Sequence, residues 1–184
     1  RSVSARLDVA AAGVQTPWFH ASNFQASAQL ATSENTPDNG AASWGFWTNL
    51  QPFHLAWSIR LGELRAEKLN ADTLACDGAW SAPELAVTNF SARLDGGQLD
   101  ASARLDVATR QLDFTNRFDF DPRQLALWLP ENARTTLAKI AWTLPPALRA
   151  EGSLRLPPWT QVAADWPAEV ASSLQLRGDL AATN

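Results

Sequence analysis

The sequence predicts a mainly β chain, an antiparallel sheet made by copying one strand template. Three observations carry that reading. The tetrapeptide Ser-[Ala/Ile/Leu]-[Arg/Gln]-Leu recurs along the chain, beginning at Ser4, Ser27, Ser58, Ser91, Ser102, Ser153 and Ser173. Residues 4–10 and 102–108 are identical, Ser-Ala-Arg-Leu-Asp-Val-Ala, and a further Ser-Ala-Arg-Leu-Asp begins at Ser91; repetition on this scale is a statement about architecture. Most copies lie inside runs that alternate polar with apolar residues, the pattern of a strand with one buried face.

In chain order, Val3, Ala5, Leu7 and Val9 mark a first strand, and Phe24, Ala26, Ala28 and Leu30 a second. Residues 32–43 lack periodicity and are rich in turn formers, so they read as a loop. Phe53, Leu55, Trp57, Ile59 and Leu61 form the most apolar strand. Residues 85–120 read as a three-stranded meander. Phe90, Ala92 and Leu94 lead through Asp95-Gly96-Gly97 to Leu99, Ala101, Ala103, Leu105 and Val107, then to Leu112, Phe114, Phe118 and Phe120. Glycine supplies the positive φ that such a tight turn needs. The phase of the pattern slips between Val87 and Phe90, which predicts a β-bulge.

The period then changes. Asp121 can cap a helix, Pro122 suits its first position, and Leu125, Leu127, Trp128 and Leu129 follow. Beyond Pro130, Ala133, Leu137, Ile140 and Ala141 share one face of a second helix over about 132–142. The prediction is thus a short helical pair inserted over about 122–142. Pro145-Pro146 ends it, and Leu148, Ala150, Gly152, Leu154 and Leu156 resume the strand pattern as far as Pro157-Pro158. Residues 157–168 read as a connector, and Leu174, Leu176 and Leu180 mark a last strand.

The chain's 184 residues suffice for one repetitive β domain, 1–184, and no composition break divides it. Charged residues make up 18 % of the chain, below the roughly 25 % of an average domain. The net charge is −4 with both signs interspersed, so no basic stripe exists to track a phosphate backbone and nucleic acid is not expected as a partner. Cys76 is the one cysteine, which excludes an internal disulfide and a cysteine-based zinc site. No run of 18 or more apolar residues and no signal-peptide pattern is present. The lack of Met and the strand pattern already under way at Arg1 suggest an internal fragment of a longer protein.

Residues that could carry chemistry read more simply as structural. His20 and His54 each follow a proline and aromatic residues but have no cysteine or closely spaced carboxylate beside them, so no metal is expected. Asp8, Asp95, Asp106, Asp113 and Asp119 recur along the strands, and Arg6 with Asp8, like Arg104 with Asp106, shares the polar face of one strand. No Gly-x-Ser-x-Gly elbow and no phosphate-cradling glycine loop occurs, so the chain is expected not to be an enzyme and to need no cofactor. Nine tryptophans accompany an absence of tyrosine, and most fall where the patterns already demand an apolar residue. Trp44, Phe46 and Trp47, beside the polar loop, form the candidate exposed aromatic contact.

Trp80-Ser-Ala-Pro83-Glu-Leu85, Phe90-Ser-Ala-Arg-Leu-Asp-Gly96-Gly97-Gln-Leu99, Ala101-Ser-Ala-Arg-Leu-Asp106, Phe118-Asp-Phe-Asp121, the helical pair and Pro145-Pro146 follow one another between Leu74 and Leu156. This segment resembles the AsmA-like group of bacterial envelope proteins, related to TamB and the repeating β-groove lipid-transfer proteins. The resemblance covers about half the chain well and the rest loosely. It implies a curved, taco-like antiparallel sheet whose concave apolar face holds phospholipid acyl chains. It also implies a periplasmic location, an inner-membrane anchor outside this chain, partners in the envelope, and a role in phospholipid transport or outer-membrane homeostasis. Phe53, Leu55, Trp57, Ile59, Leu61, Leu99, Leu105, Val107, Leu154 and Leu156 are then the candidates to line the groove. The same alternation also permits a sealed β-sandwich that serves as a scaffold or binds a glycan or protein, with no lipid.

Overall fold

A computed structural model describes residues 3–32, 39–66, 70–94, 96–121, 131–139, 145–160 and 166–181. The strands are β1 (Ser4–Gln15), β2 (Phe19–Thr32), β3 (Phe53–Ala66), β4 (Asn70–Ser81), β5 (Glu84–Leu94), β6 (Gly97–Asp106), β7 (Gln111–Phe118), β8 (Ala147–Arg155) and β9 (Gln175–Ala181). They form one sheet in sequence order, each antiparallel to the next, with β1 and β9 as its two edges. A two-sheet sandwich, which the alternation also permitted, is not what these strands build.

Local chemistry fixes the turns. Thr16 Oγ1 accepts hydrogen bonds from Trp18 N at 3.2 Å and Phe19 N at 3.0 Å, closing the β1–β2 hairpin. Asp106 Oδ1 accepts from Ala108 N at 2.8 Å and Thr109 N at 3.0 Å, which ends β6 and takes Val107 out of the strand the alternation assigned it to. Gly96 has φ 90°, the left-handed conformation that its hairpin requires. The expected bulge is present: the β5–β6 register slips between Val87 and Phe90. The slip keeps both side chains on the apolar face and turns Thr88 and Asn89 outward.

A 3-10 helical segment, Asn39–Leu50, kinked at Gly45 (φ 59°), occupies part of the region read as a loop. Two α-helices follow later in the chain. The first, α1 (Glu131–Ala138), overlaps the second predicted helix; the helix predicted to start at Pro122 lies outside the described residues. The second, α2 (Trp166–Ser173), corrects the reading of 157–168 as connector only. Ser173, taken from sequence as the start of a strand motif, ends this helix instead, and its Oγ accepts from Arg155 N at 2.9 Å. No described helix is long and apolar enough to cross a membrane.

Two buried clusters anchor opposite ends of the strands. One gathers Ala21, Leu64, Ala71, Ala92, Leu94 and Phe120. The other gathers Trp44, Trp80, Leu105 and Val107, with Trp47 and Trp159 packed on them.

Candidate functional site

Strand register assembles the alternating apolar residues into four rows that cross the sheet. The first, Leu30–Leu55–Trp80–Leu85–Leu105–Leu112–Leu154, runs beneath the tryptophan cluster. The fourth, Leu61–Leu74–Ala92–Leu99–Phe118–Leu148–Leu180, runs along the Phe120 cluster. Between them lie two middle rows that cross all nine strands. One is Leu7–Ala28–Trp57–Gly78–Val87–Ala103–Phe114–Gly152–Leu176; the other is Val9–Ala26–Ile59–Cys76–Phe90–Ala101–Asn116–Ala150–Gly178. With strands about 4.8 Å apart, each middle row is about 38 Å long.

The first row is sealed. Trp80 Nε1 donates to Leu50 O at 2.8 Å, tying the 3-10 segment to the sheet, and Trp159 Nε1 donates to Val107 O at 2.7 Å. Trp47 fills the space between, stacked on Trp80 at 5.3 Å and edge-on to Trp159 at 5.8 Å. Gly45 permits this close seat, because a Cβ there would stand 3.1 Å from Trp159 Cβ. The fourth row is closed by Phe120, fully buried and 4.8 Å from the Phe118 ring. Asp119 holds that corner by accepting from Gln98 N at 2.6 Å.

Among the described residues the middle rows carry no such cover, although Trp57 packs sideways against the tryptophan cluster and Phe90 against the Phe120 cluster. Their residues on the inner strands are half-buried, apart from the buried Gly78 and Ala150, and at the edges Leu7 and Leu176 are 61 % and 63 % exposed. Among the described helices, the substantial backbone packing on the sheet is that of α2 on β8. Two aromatic rings pave the face by lying across glycines of the next strand. A Cβ on Gly78 would meet Trp57 Cζ2 at 2.1 Å, and one on Gly152 would meet Phe114 Cζ at 2.6 Å. Asn116 is the one polar side chain in either row, and its Oδ1 is buried with no hydrogen-bond partner.

The other face is polar and ordered by charge. Arg60 donates to both carboxylate oxygens of Asp77, at 2.7 and 2.8 Å, and Asn89, turned outward by the bulge, donates to the same carboxylate at 3.0 Å. These bonds, with one from Ser58, hold the Asp77 carboxyl well below the usual carboxylate range. Hollows of about 730 and 690 Å³ lie on this face, between Arg104, Asp113, Glu151 and Arg177 and between Asp100, Arg117, Arg149 and Asp179. The resemblance implied an apolar hollow. On this sheet the long charged side chains stand off the surface and wall in the space between them, whereas Trp57 and Phe114 lie flat.

The ten groove candidates therefore separate. Trp57 and Ile59 lie on the middle rows. Leu55 and Leu154 belong to the first row, and Phe53, half-buried, starts β3 beside it. Leu61 and Leu99 pack on the Phe120 cluster. Leu105 and Val107 are 8 % and 0 % exposed beneath the tryptophans and Leu156 packs there too, so the cluster covers them and they line no open surface. The expected aromatic contact separates as well. Trp44 is 3 % exposed and thus a core residue, Trp47 is half-buried, and Phe46 alone stays open at 62 %.

His20 and His54 pair with opposite ends of their neighbouring strands, His20 with Arg65 and His54 with Ala31, so they do not converge. Among the described residues no group of three His, Cys, Asp or Glu side chains could hold a metal ion. Sequence reasoning passed over Cys76 and Gly78 because the alternation of β4 is weak. It did not assign Val87, Phe90 or Phe114 to the site, although their period was visible. No family model matches the chain, and neither a curated protein nor a solved structure matches it.

Proposed function

We propose that this chain is a lipid-carrying module, and that phospholipid acyl chains lie across the two middle rows of its apolar face. The observation that carries the reading is the pair of middle rows, nine strands wide between the two sealed ends, on which α2 at β8 is the one described helix with substantial backbone packing against the sheet. A one-sided sheet needs a second layer, helices or an apolar ligand on that side. The two sealed ends confine a chain to the middle, and the path of about 38 Å exceeds the roughly 15 Å depth of one bilayer leaflet. Each methylene withdrawn from water contributes about 0.8 kcal/mol, so about ten methylenes in contact give a gross gain of about 8 kcal/mol before the cost of immobilising the chain. The resemblance to the AsmA-like group adds the setting: a periplasmic module of a protein anchored in the inner membrane, acting in phospholipid transport or outer-membrane homeostasis.

Native mass spectrometry with lipid extraction, on protein purified from a bacterial host, tests this. Phospholipid is expected at a reproducible stoichiometry. Ile59→Asn is expected to lower the occupancy while the protein stays folded, whereas Leu105→Asp, placed in the sealed cluster, is expected to unfold it. A folded, reproducibly lipid-free chain would contradict the reading and direct attention to Phe46 as a contact for a glycan or protein.

A further inference from the structure

Asn116 is the one amide on the two middle rows. Strand register sets it between Ala101 of β6 and Ala150 of β8. Alternation puts Phe114 and Phe118 on the same face, about 7 Å away along β7 on either side. Two phenyl rings and two methyl groups thus surround a single polar side chain.

Nothing in the fold calls for an amide at this place. The backbone of Asn116 is paired with strands on both sides, asparagine is depleted in strands, and an acceptor buried without a donor destabilises the chain that holds it. An apolar residue of similar size would continue the alternation of β7 and remove the orphan.

The orientation of the amide shows what a ligand could use. Among the described residues the side chain makes no hydrogen bond, and Oδ1 is its one buried atom without a partner. Nδ2 is therefore the end that opens toward the apolar face. The reverse orientation would bury two donors in place of one acceptor, which is worse. The open end offers N–H donors, so its natural partner is an oxygen acceptor. A phosphate would bring a charge to rows that hold no cationic side chain, whereas a neutral carbonyl oxygen would not.

We infer, resting on the lipid reading above, that Asn116 sets the specificity of this face for ester lipids. Its Nδ2 donates to an ester carbonyl and fixes where the acyl chain begins. The chain then runs over Ala101, Phe90, Cys76 and Ile59, because Ala150 and Gly178 on the other side offer no large apolar side chain.

Isothermal titration calorimetry on lipid-stripped protein tests this, with a short-chain diester phosphatidylcholine and its diether counterpart, each below its micelle concentration. The ratio of the two affinities in Asn116→Leu gives the baseline, since leucine keeps the shape and removes the donor. The unaltered chain is expected to favour the diester about two- to tenfold more than that baseline, the worth of one net hydrogen bond. Asn116→Leu is also expected to unfold at the same or a higher urea concentration, because an unpartnered buried group has gone. The same ratio in both proteins would overturn the inference and leave the lipid reading standing. So would a clearly less stable Asn116→Leu, which would make the amide a support of the fold. Binding of neither lipid by the unaltered chain would overturn the lipid reading, and this inference with it.

Discussion

Replacing Gly78 by alanine tests whether the apolar face is paved as described. The new Cβ would stand 2.1 Å from Trp57 Cζ2, 2.5 Å from Trp57 Cε2 and 2.6 Å from the carbonyl oxygen of Ala86. No rotation of the methyl group relieves these contacts, so the indole must leave its seat and β5 must shift. Forcing a methyl group into a filled space costs about 1–3 kcal/mol. For a chain of this size each kcal/mol lowers the melting temperature by about 2–4 °C, so a loss of about 2–12 °C is expected. Gly13→Ala is the control, because its Cβ would meet nothing nearer than Ala21 O at 3.7 Å. Thermal and urea unfolding of both variants gives the comparison. Adding Trp57→Leu to Gly78→Ala removes the larger part of the clash but not that with Ala86 O, so a coupling of about 0.5–3 kcal/mol is expected. Equal stability of Gly78→Ala and Gly13→Ala, or simple additivity with Trp57→Leu, would refute the packing described.

Two further outcomes follow from the polar face and the tryptophan cluster. The Asp77 carboxyl sits below its ordinary range because Arg60 first, and Asn89 and Ser58 next, bond its charged form. A carboxyl lowered on folding adds stability above its unfolded pKa of about 3.9, and that stability is lost as pH falls further toward the folded value. Melting temperature measured from pH 7 to pH 2 is thus expected to fall below about pH 4, and less steeply in Asp77→Asn. Trp159→Phe removes the hydrogen bond to Val107 O and leaves that buried carbonyl without its donor; a loss of about 1–3 kcal/mol in urea unfolding is expected.

The fold was legible because its signal is a period of two repeated along the chain, and period assigns faces directly. The recurring tetrapeptide shows both the reach and the limit of that signal. In strands it puts serine and arginine or glutamine on the polar side and leucine on the apolar side. It does not say where along the sheet a copy sits: Leu105 falls in the first row, Leu7 and Leu176 in a middle row and Leu61 in the fourth. Position depends on register, which the bulges at Asn23 and between Val87 and Phe90 reset. Much of the site was less legible for the same reason. Trp57 became part of a paved surface only because register brings Gly78 beside it. Leu105 and Val107 looked like groove residues until Trp44 and Trp159, far away in sequence, covered them. Asn116 broke the apolar pattern of β7 and drew no notice from sequence alone.

The central claim is that lipid lies over the middle rows, and Cys76 reports on it directly. It is the only cysteine of the chain, half-buried, in the second middle row between Ile59 and Phe90. The measurement is the rate at which a small water-soluble thiol reagent modifies Cys76 in the folded protein, with and without a short-chain phospholipid below its micelle concentration. The account predicts that the lipid slows the reaction in a saturable way and that Ile59→Asn weakens the protection. A rate unchanged at every lipid concentration, in protein shown to be folded and stripped of co-purified lipid, would contradict it.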